Sequence, residues 1–224
     1  MESVSASPEL DTVRFKGELV RKAIHLCSLS IPVIYFYVSR STAIMVLVPL
    51  TAAFLAGDLL RLFHKPSYVL YRNIFGPILR PHESVNERRA LNGATWILMS
   101  ALFCVIVFPK LITVTAFAVL IISDSTAALV GKRFGTRVIR GKTFEGSLAF
   151  VISACLVVLF TPKIVYHPAE YVIGMIAAAM GALAEIFSFD IVDDNFAIPV
   201  GIGFTLWALY AVFFPGLNVY FLDR

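Results

Sequence analysis

Charge is scarce in this chain. Only 15% of its 224 residues are Asp, Glu, Lys or Arg, 58% are apolar, and the mean hydropathy is +0.82. That balance lies outside the range of soluble globular domains. Cysteine is scarcer still. Cys27, Cys104 and Cys155 stand singly inside apolar runs with no Cys-x-x-Cys, which excludes a zinc knuckle or a disulfide framework. The Gly-x-x-x-x-Gly-Lys-Ser/Thr phosphate loop is missing, since Gly141-Lys142-Thr143 resembles only its end. The protein-kinase signature is missing too, so any nucleotide chemistry needs another architecture. No long internal repeat is visible, and a nucleic-acid partner is not expected. A secretory signal is not expected in the first twenty-odd residues: residues 1–11 are polar, Ser-rich and acidic with Pro8, and read as a frayed tail.

What is present is apolar sequence in blocks. Seven stretches are long and apolar enough to be read as membrane spans: 23–38, 42–60, 90–108, 111–130, 147–160, 171–191 and 196–214. A bilayer core takes about 20 residues of helix, so the shorter blocks are expected to extend into their polar flanks. The fold class is therefore an all-α, polytopic membrane protein of about seven transmembrane helices. Residues 1–22 form a polar tail with an amphipathic surface segment at 13–22, and 23–224 form a single transmembrane catalytic domain. Residues 67–79, mildly apolar but broken by Arg72, Asn73 and Pro77, read as an interfacial helix.

The few charges are unevenly spread. With the N-terminus on one side, that side collects 15 of the 19 Lys and Arg residues, and the other receives Arg40, Lys110, Lys163 and Arg224. By the positive-inside rule the N-terminus and the basic segments are cytoplasmic and the C-terminus is external. The acidic turn at Asp193-Asp194 falls on the basic side. The expected location is the cell (inner) membrane, with the active site on the cytoplasmic face.

The chemistry concentrates in residues 122–147, I-S-D-S-T-A-A-L-V-G-K-R-F-G-T-R-V-I-R-G-K-T-F-E-G-S. An acid at membrane depth, Asp124, is followed by Gly131, Gly135 and the cations Lys132, Arg133, Arg137, Arg140 and Lys142. An acid to hold a cation, basic groups to hold phosphates and glycines for close backbone approach suit a metal-bound polyphosphate. Ionisable groups inside a membrane are costly and point to function first; the bland counterpart for Asp124 is a salt bridge fastening two helices. Asp58, three residues before Arg61, is read either as a metal ligand or as a local ion pair. Glu185 lies deep in the sixth span. His25 shares a helix face with Arg21 and Lys22 and is read either as a satisfied interfacial histidine or as a catalytic or phosphate-binding one. Asn92, beside Gly93 near Arg88-Arg89, is read as helix packing or phosphate contact.

Six motifs carry a family resemblance: R-K-A-I-H (21–25), G-D (57–58), L-N-G-A-T-W (91–96), S-D-S-T-A-A-L-V-G-K-R-F-G (123–135), G-K-T-F-E-G-S (141–147) and D-N-F-A-I-P (194–199). Together they resemble the CTP-dependent lipid kinases, which include the dolichol, phytol and yeast-type diacylglycerol kinases. The two central motifs are the specific ones. The resemblance implies a multi-span enzyme that moves the γ-phosphoryl of CTP to a lipid hydroxyl with Mg²⁺ or another divalent cation. The pattern also resembles the CDP-diacylglycerol synthases. Where those carry K-D…H-G-G…D-R-x-D, this chain reads D-I-V-D-D-N-F-A-I-P, a departure that favours the kinase over the cytidylyltransferase.

Carried onto this chain, the reading assigns Asp124, Asp194 and Asp58 to the metal. Lys142, Lys132, Arg133 and Arg140 face the CTP phosphates, and Gly131, Gly135, Thr143, Asn92, Arg21 and Lys22 line the nucleotide. Glu145 orients Lys142 or a metal-bound water, and His25 or one of the acids accepts the proton. The partners are CTP, a lipid alcohol such as phytol, a polyprenol or diacylglycerol, and the surrounding lipids. A transporter is the distant alternative, and would spread polar groups on both sides of the midplane.

Overall fold

A computed structural model describes residues 22–64, 66, 69, 91–188 and 192–223. Within them the chain is mostly helical. The helices are α1 (Lys22–Tyr37), α2 (Arg40–Phe63), α3 (Gly93–Val107), α4 (Lys110–Phe134), α5 (Phe144–Phe160), α6 (Pro168–Phe187) and α7 (Asp194–Phe213). Each apolar block becomes a helix because a span must satisfy its backbone polar groups internally. Four of them, α2, α4, α6 and α7, are long and apolar enough to cross a membrane, while α1, α3 and α5 are apolar but shorter. The expected count of seven spans thus divides into four helices of spanning length and three shorter ones. At 15 residues, α3 is about 22 Å long, less than the ~30 Å hydrocarbon core.

Local sequence sets where the helices begin. Ser39, Asn92, Thr143, His167 and Asp193 each accept a backbone N–H in the first turn of α2, α3, α5, α6 and α7, as N-caps do. Glu170 completes a capping box on α6, with Pro168 in the first turn, where its missing N–H costs nothing.

Helix α4 is the axis. Nearly every residue from Lys110 to Ser125 is buried, and α1, α3, α5 and α7 all pack on it. Close crossings are made by glycine. A Cβ on Gly181 of α6 would lie 2.7 Å from the Ile202 side chain of α7, and one on Gly174 would lie 2.5 Å from Val158 of α5. Small residues let membrane helices approach in this way. Apolar side chains such as Met45, Phe160 and Val212 cover the outside, an expanse that a soluble monomer rarely exposes.

Two short strands depart from the all-α expectation. β1 (Val138–Ile139) and β2 (Lys142–Thr143) pair antiparallel, with Ile139 opposite Lys142. The two-residue turn between them puts Arg140 at φ +50° and Gly141 at φ +82°, the left-handed conformation that tight hairpins require at both central positions. The surface segments read at 13–22 and 67–79 fall, single positions aside, outside the described residues, as does Arg21.

Candidate functional site

Three polar clusters gather at one end of the bundle. Lys142 occupies the middle of the first. Its ammonium donates to Asp194 Oδ2 at 3.0 Å and lies 3.4 Å from Glu185 Oε1. The hairpin delivers it there: β2 adjoins the start of α5, and the Arg140 guanidinium lies 4.8 Å from the Phe187 ring centre at the end of α6. Burial alone would lower the Lys142 pKa, but the carboxylates of Asp194, Glu185 and Asp124 outweigh it and raise the pKa above the ordinary lysine value. Glu185 is 4% exposed, and its Oε2 is sealed from solvent with no hydrogen-bond partner.

The second cluster surrounds Asp124. Lys22 of α1 pairs with Asp124 Oδ2, and His25 Nε2 lies 3.6 Å from the same oxygen. All three are buried, as are Ser123 and Ser125. The sequence left open whether Asp124 fastens helices or takes part in chemistry. It does join α1 to α4, and its charge is also felt at Lys142.

The third cluster is centred on Asp58. One oxygen accepts the Asn92 N–H and the Thr95 hydroxyl, both at 2.7 Å, and the other meets Arg61 at 3.2 Å. Asp58 thereby ties the end of α2 to the start of α3, and the local-pair reading describes its contacts. Asn92 caps α3. The Asn195 amide of α7 is near, since a Cβ on Gly93 would lie 3.7 Å from its Nδ2.

Other expected residues have different neighbours from those the spacing suggested. Glu145 does not touch Lys142. It accepts from the Thr136 hydroxyl at 2.5 Å and from the Arg137 N–H at 3.4 Å, because one helical turn returns its side chain to the loop before β1. Gly131 and Gly135 admit the chain's own Thr143: a Cβ on either would lie 2.5 Å from that side chain. Gly131 also faces Gly146, so α4 and α5 meet there nearly backbone to backbone, and Thr143 caps α5 through the Gly146 N–H at 3.2 Å. Lys132, Arg133 and Arg140 are exposed on the same end.

Glu185, a deep acid of the sixth span, is not among the residues the sequence motifs assign to the site. Its signal is periodic. Gly174, Ala178, Gly181 and Glu185 recur at helical spacing on the buried face of α6, so the small-residue stripe that packs the bundle ends in a carboxylate. Among the described residues no three acids, histidines or cysteines converge closely enough to hold a metal by themselves. Two carboxylates, Asp194 and Glu185, do meet at the Lys142 ammonium; Mg²⁺ bound to proteins takes one or two carboxylates and keeps several waters.

Comparison with known proteins adds an independent line. The chain is 28% identical over 192 residues to an uncharacterised protein of Rickettsia prowazekii, covering 85% of this chain and 94% of that one. It is 29% identical over 213 residues to the CTP-dependent diacylglycerol kinase 1 of Saccharomyces cerevisiae, covering 83% of this chain and 71% of that one. The protein of the same name in Schizosaccharomyces pombe is 28% identical over 158 residues, 64% of this chain and 70% of its own. No family model and no solved structure matches.

Proposed function

We infer from these similarities that the chain belongs with the CTP-dependent lipid kinases, and we propose that it transfers the γ-phosphoryl of CTP to the hydroxyl of a membrane lipid alcohol. The relatives favour this over the cytidylyltransferase alternative. The observation that carries the reading is Lys142, held between Asp194 and Glu185 at the polar end of an otherwise apolar bundle. Phosphoryl transfer asks for positioning and charge neutralisation, and an ammonium on a short, docked hairpin supplies both.

In this mechanism Lys142 binds the CTP phosphates as a point charge, assisted by the exposed Lys132, Arg133 and Arg140. The acceptor hydroxyl enters from the surrounding lipid and is aligned with the γ-phosphorus at the mouth of the helix ends. His25, buried beside Asp124, takes the hydroxyl proton as the new P–O bond forms and CDP departs. Asp124 and Asp194 are the aspartates that would hold Mg²⁺, which when bound would supply neutralisation of the phosphate charge. Asp58, committed to three protein donors, is left to join helices. The test is turnover of purified protein with labelled CTP or ATP against diacylglycerol, phytol and polyprenols. CDP and a phospholipid product support the reading; preference for ATP, or release of pyrophosphate with a CMP-lipid, overturns it.

The topology belongs to the same proposal. Consecutive helices alternate in direction, and the charge count favours all seven crossing, with the site cytoplasmic and 23–224 acting as one domain in the cell membrane. Reporter fusions at Thr136 and Arg224 should fall on opposite sides, and the same side for both overturns that topology.

A further inference from the structure

Glu185 stands apart from the other buried acids of this end. Asp58 has a protein donor for each oxygen, and Asp124 has Lys22. Glu185 has a lysine 3.4 Å from one oxygen and nothing on the other. Leaving a buried carboxylate oxygen without a donor is costly, so its persistence points to a missing positive ligand. The geometry agrees. The carboxylates of Glu185 and Asp194 converge on one point, the Lys142 ammonium, at 3.4 and 3.0 Å. A positive ligand matched to converging carboxylate oxygens is a small divalent cation.

We propose that Glu185 joins Asp194 in the seat of a divalent cation, as a ligand additional to those named above, and that the Lys142 ammonium stands in for the ion until it binds. Loading the ion displaces Lys142 toward the place where phosphate arrives, so that cation and nucleotide bind each other's consequences: the metal frees the lysine, and the phosphate keeps it from returning. The phosphate half rests on the phosphoryl-transfer reading; the seat itself does not, and is tested without nucleotide or lipid.

The experiment is a Mn²⁺ titration of the purified full chain in detergent, followed by the electron paramagnetic resonance signal of free Mn²⁺. Lys142→Met removes the competitor, and should tighten Mn²⁺ binding by about tenfold or more, while Glu185→Gln weakens it by a similar factor, since ligand charge tunes such sites. Asp58→Asn should leave the affinity unchanged. Unaltered Mn²⁺ affinity in Glu185→Gln overturns the seat. Should that variant fail to fold, Lys142→Met decides alone: tighter binding supports the seat, and unchanged or weaker binding overturns it. CTP should tighten Mn²⁺ binding to the wild type but not to Lys142→Met. Absence of that effect, with tighter metal-only binding in Lys142→Met, retains the seat and overturns the phosphate half.

Discussion

The two ends of the bundle use their charges differently. At the end away from the site, cations finish helices. Lys110 Nζ donates to the Val38 carbonyl at 2.9 Å, where α1 stops, and Arg40 donates to the Ile106 carbonyl near the end of α3. Lys163 donates to Val158 and Thr161 carbonyls at 2.6 and 2.7 Å, where α5 stops. The acids there are equally committed. Asp223 accepts from the Lys110 N–H at 2.7 Å, and buried Glu170 accepts three backbone N–H groups and the Tyr210 hydroxyl. Helix ends carry unpaired backbone groups and partial charges that such side chains satisfy. Arg40 also meets a carboxylate there, Asp223 at 3.4 Å, but at the site end Lys22, Arg61 and Lys142 all face carboxylates, and among the described residues one buried carboxylate oxygen there has no donor. An end whose polar groups are matched to backbone is built to hold; an end whose charges answer one another, incompletely, is built to exchange partners.

The comparison breaks first at Asp124. Asp124→Asn should abolish phosphoryl transfer. It also leaves Lys22 buried without its carboxylate, at about 3–5 kcal/mol, so rate and melting must be measured together. The double variant Lys22→Met, Asp124→Asn should recover the melting temperature and not the rate. Recovery of both would make Asp124 a fastener only, and the two ends alike.

Lys142→Ala is expected to lower turnover by about 100-fold or more; it also leaves buried Glu185 without its cation, so the rate is read per folded molecule. Glu170→Gln at the opposite end should spare the rate. Loss of a buried, fully used carboxylate costs about 3 kcal/mol, read as earlier melting in detergent, while the CTP-dependent rate per folded molecule stays unchanged.

The smallest effect is one of pH. Burial lowers the Lys163 pKa from 10.5 to about 8, with Glu170 opposing. Between those values the unfolded chain holds the proton and the folded chain does not, so stability rises with pH across that window. Below it both states are protonated and the slope vanishes. Melting curves of wild type and Lys163→Met should diverge in slope there; parallel curves would mean that Lys163 is not part of the far end's structure.

Much of this was legible in the sequence, and for a physical reason. The apolar blocks declare helices because the bilayer leaves the backbone no alternative, and α1 to α7 coincide with the seven stretches, most of them starting a few residues earlier on a capping side chain. That Asp124, Lys142, Asp194 and His25 would share one end followed from alternation and charge. Partner choice was not legible. Glu145 is three residues from Lys142, yet Lys142 reaches Glu185 and Asp194, because a two-residue turn and the cation–ring contact of Arg140 aim the hairpin at the α6–α7 junction. Nor did spacing tell that Gly131 and Gly135 make room for Thr143, since a glycine registers close approach without naming what approaches.

The axis helix has a consequence for how the chain is made. Both polar ends of α4 are closed by α1: Lys110 by the Val38 carbonyl, and Asp124 by Lys22. During synthesis α1 leaves the ribosome long before α4, so for the time taken to make two intervening helices Lys22 has no carboxylate. When α4 arrives it brings two charges into the bilayer, and the segment able to receive both is already waiting. α4 is thus expected to insert with α1 as its partner, and a chain deprived of α1 would present the translocation machinery with a helix polar at both ends that lacks these two contacts.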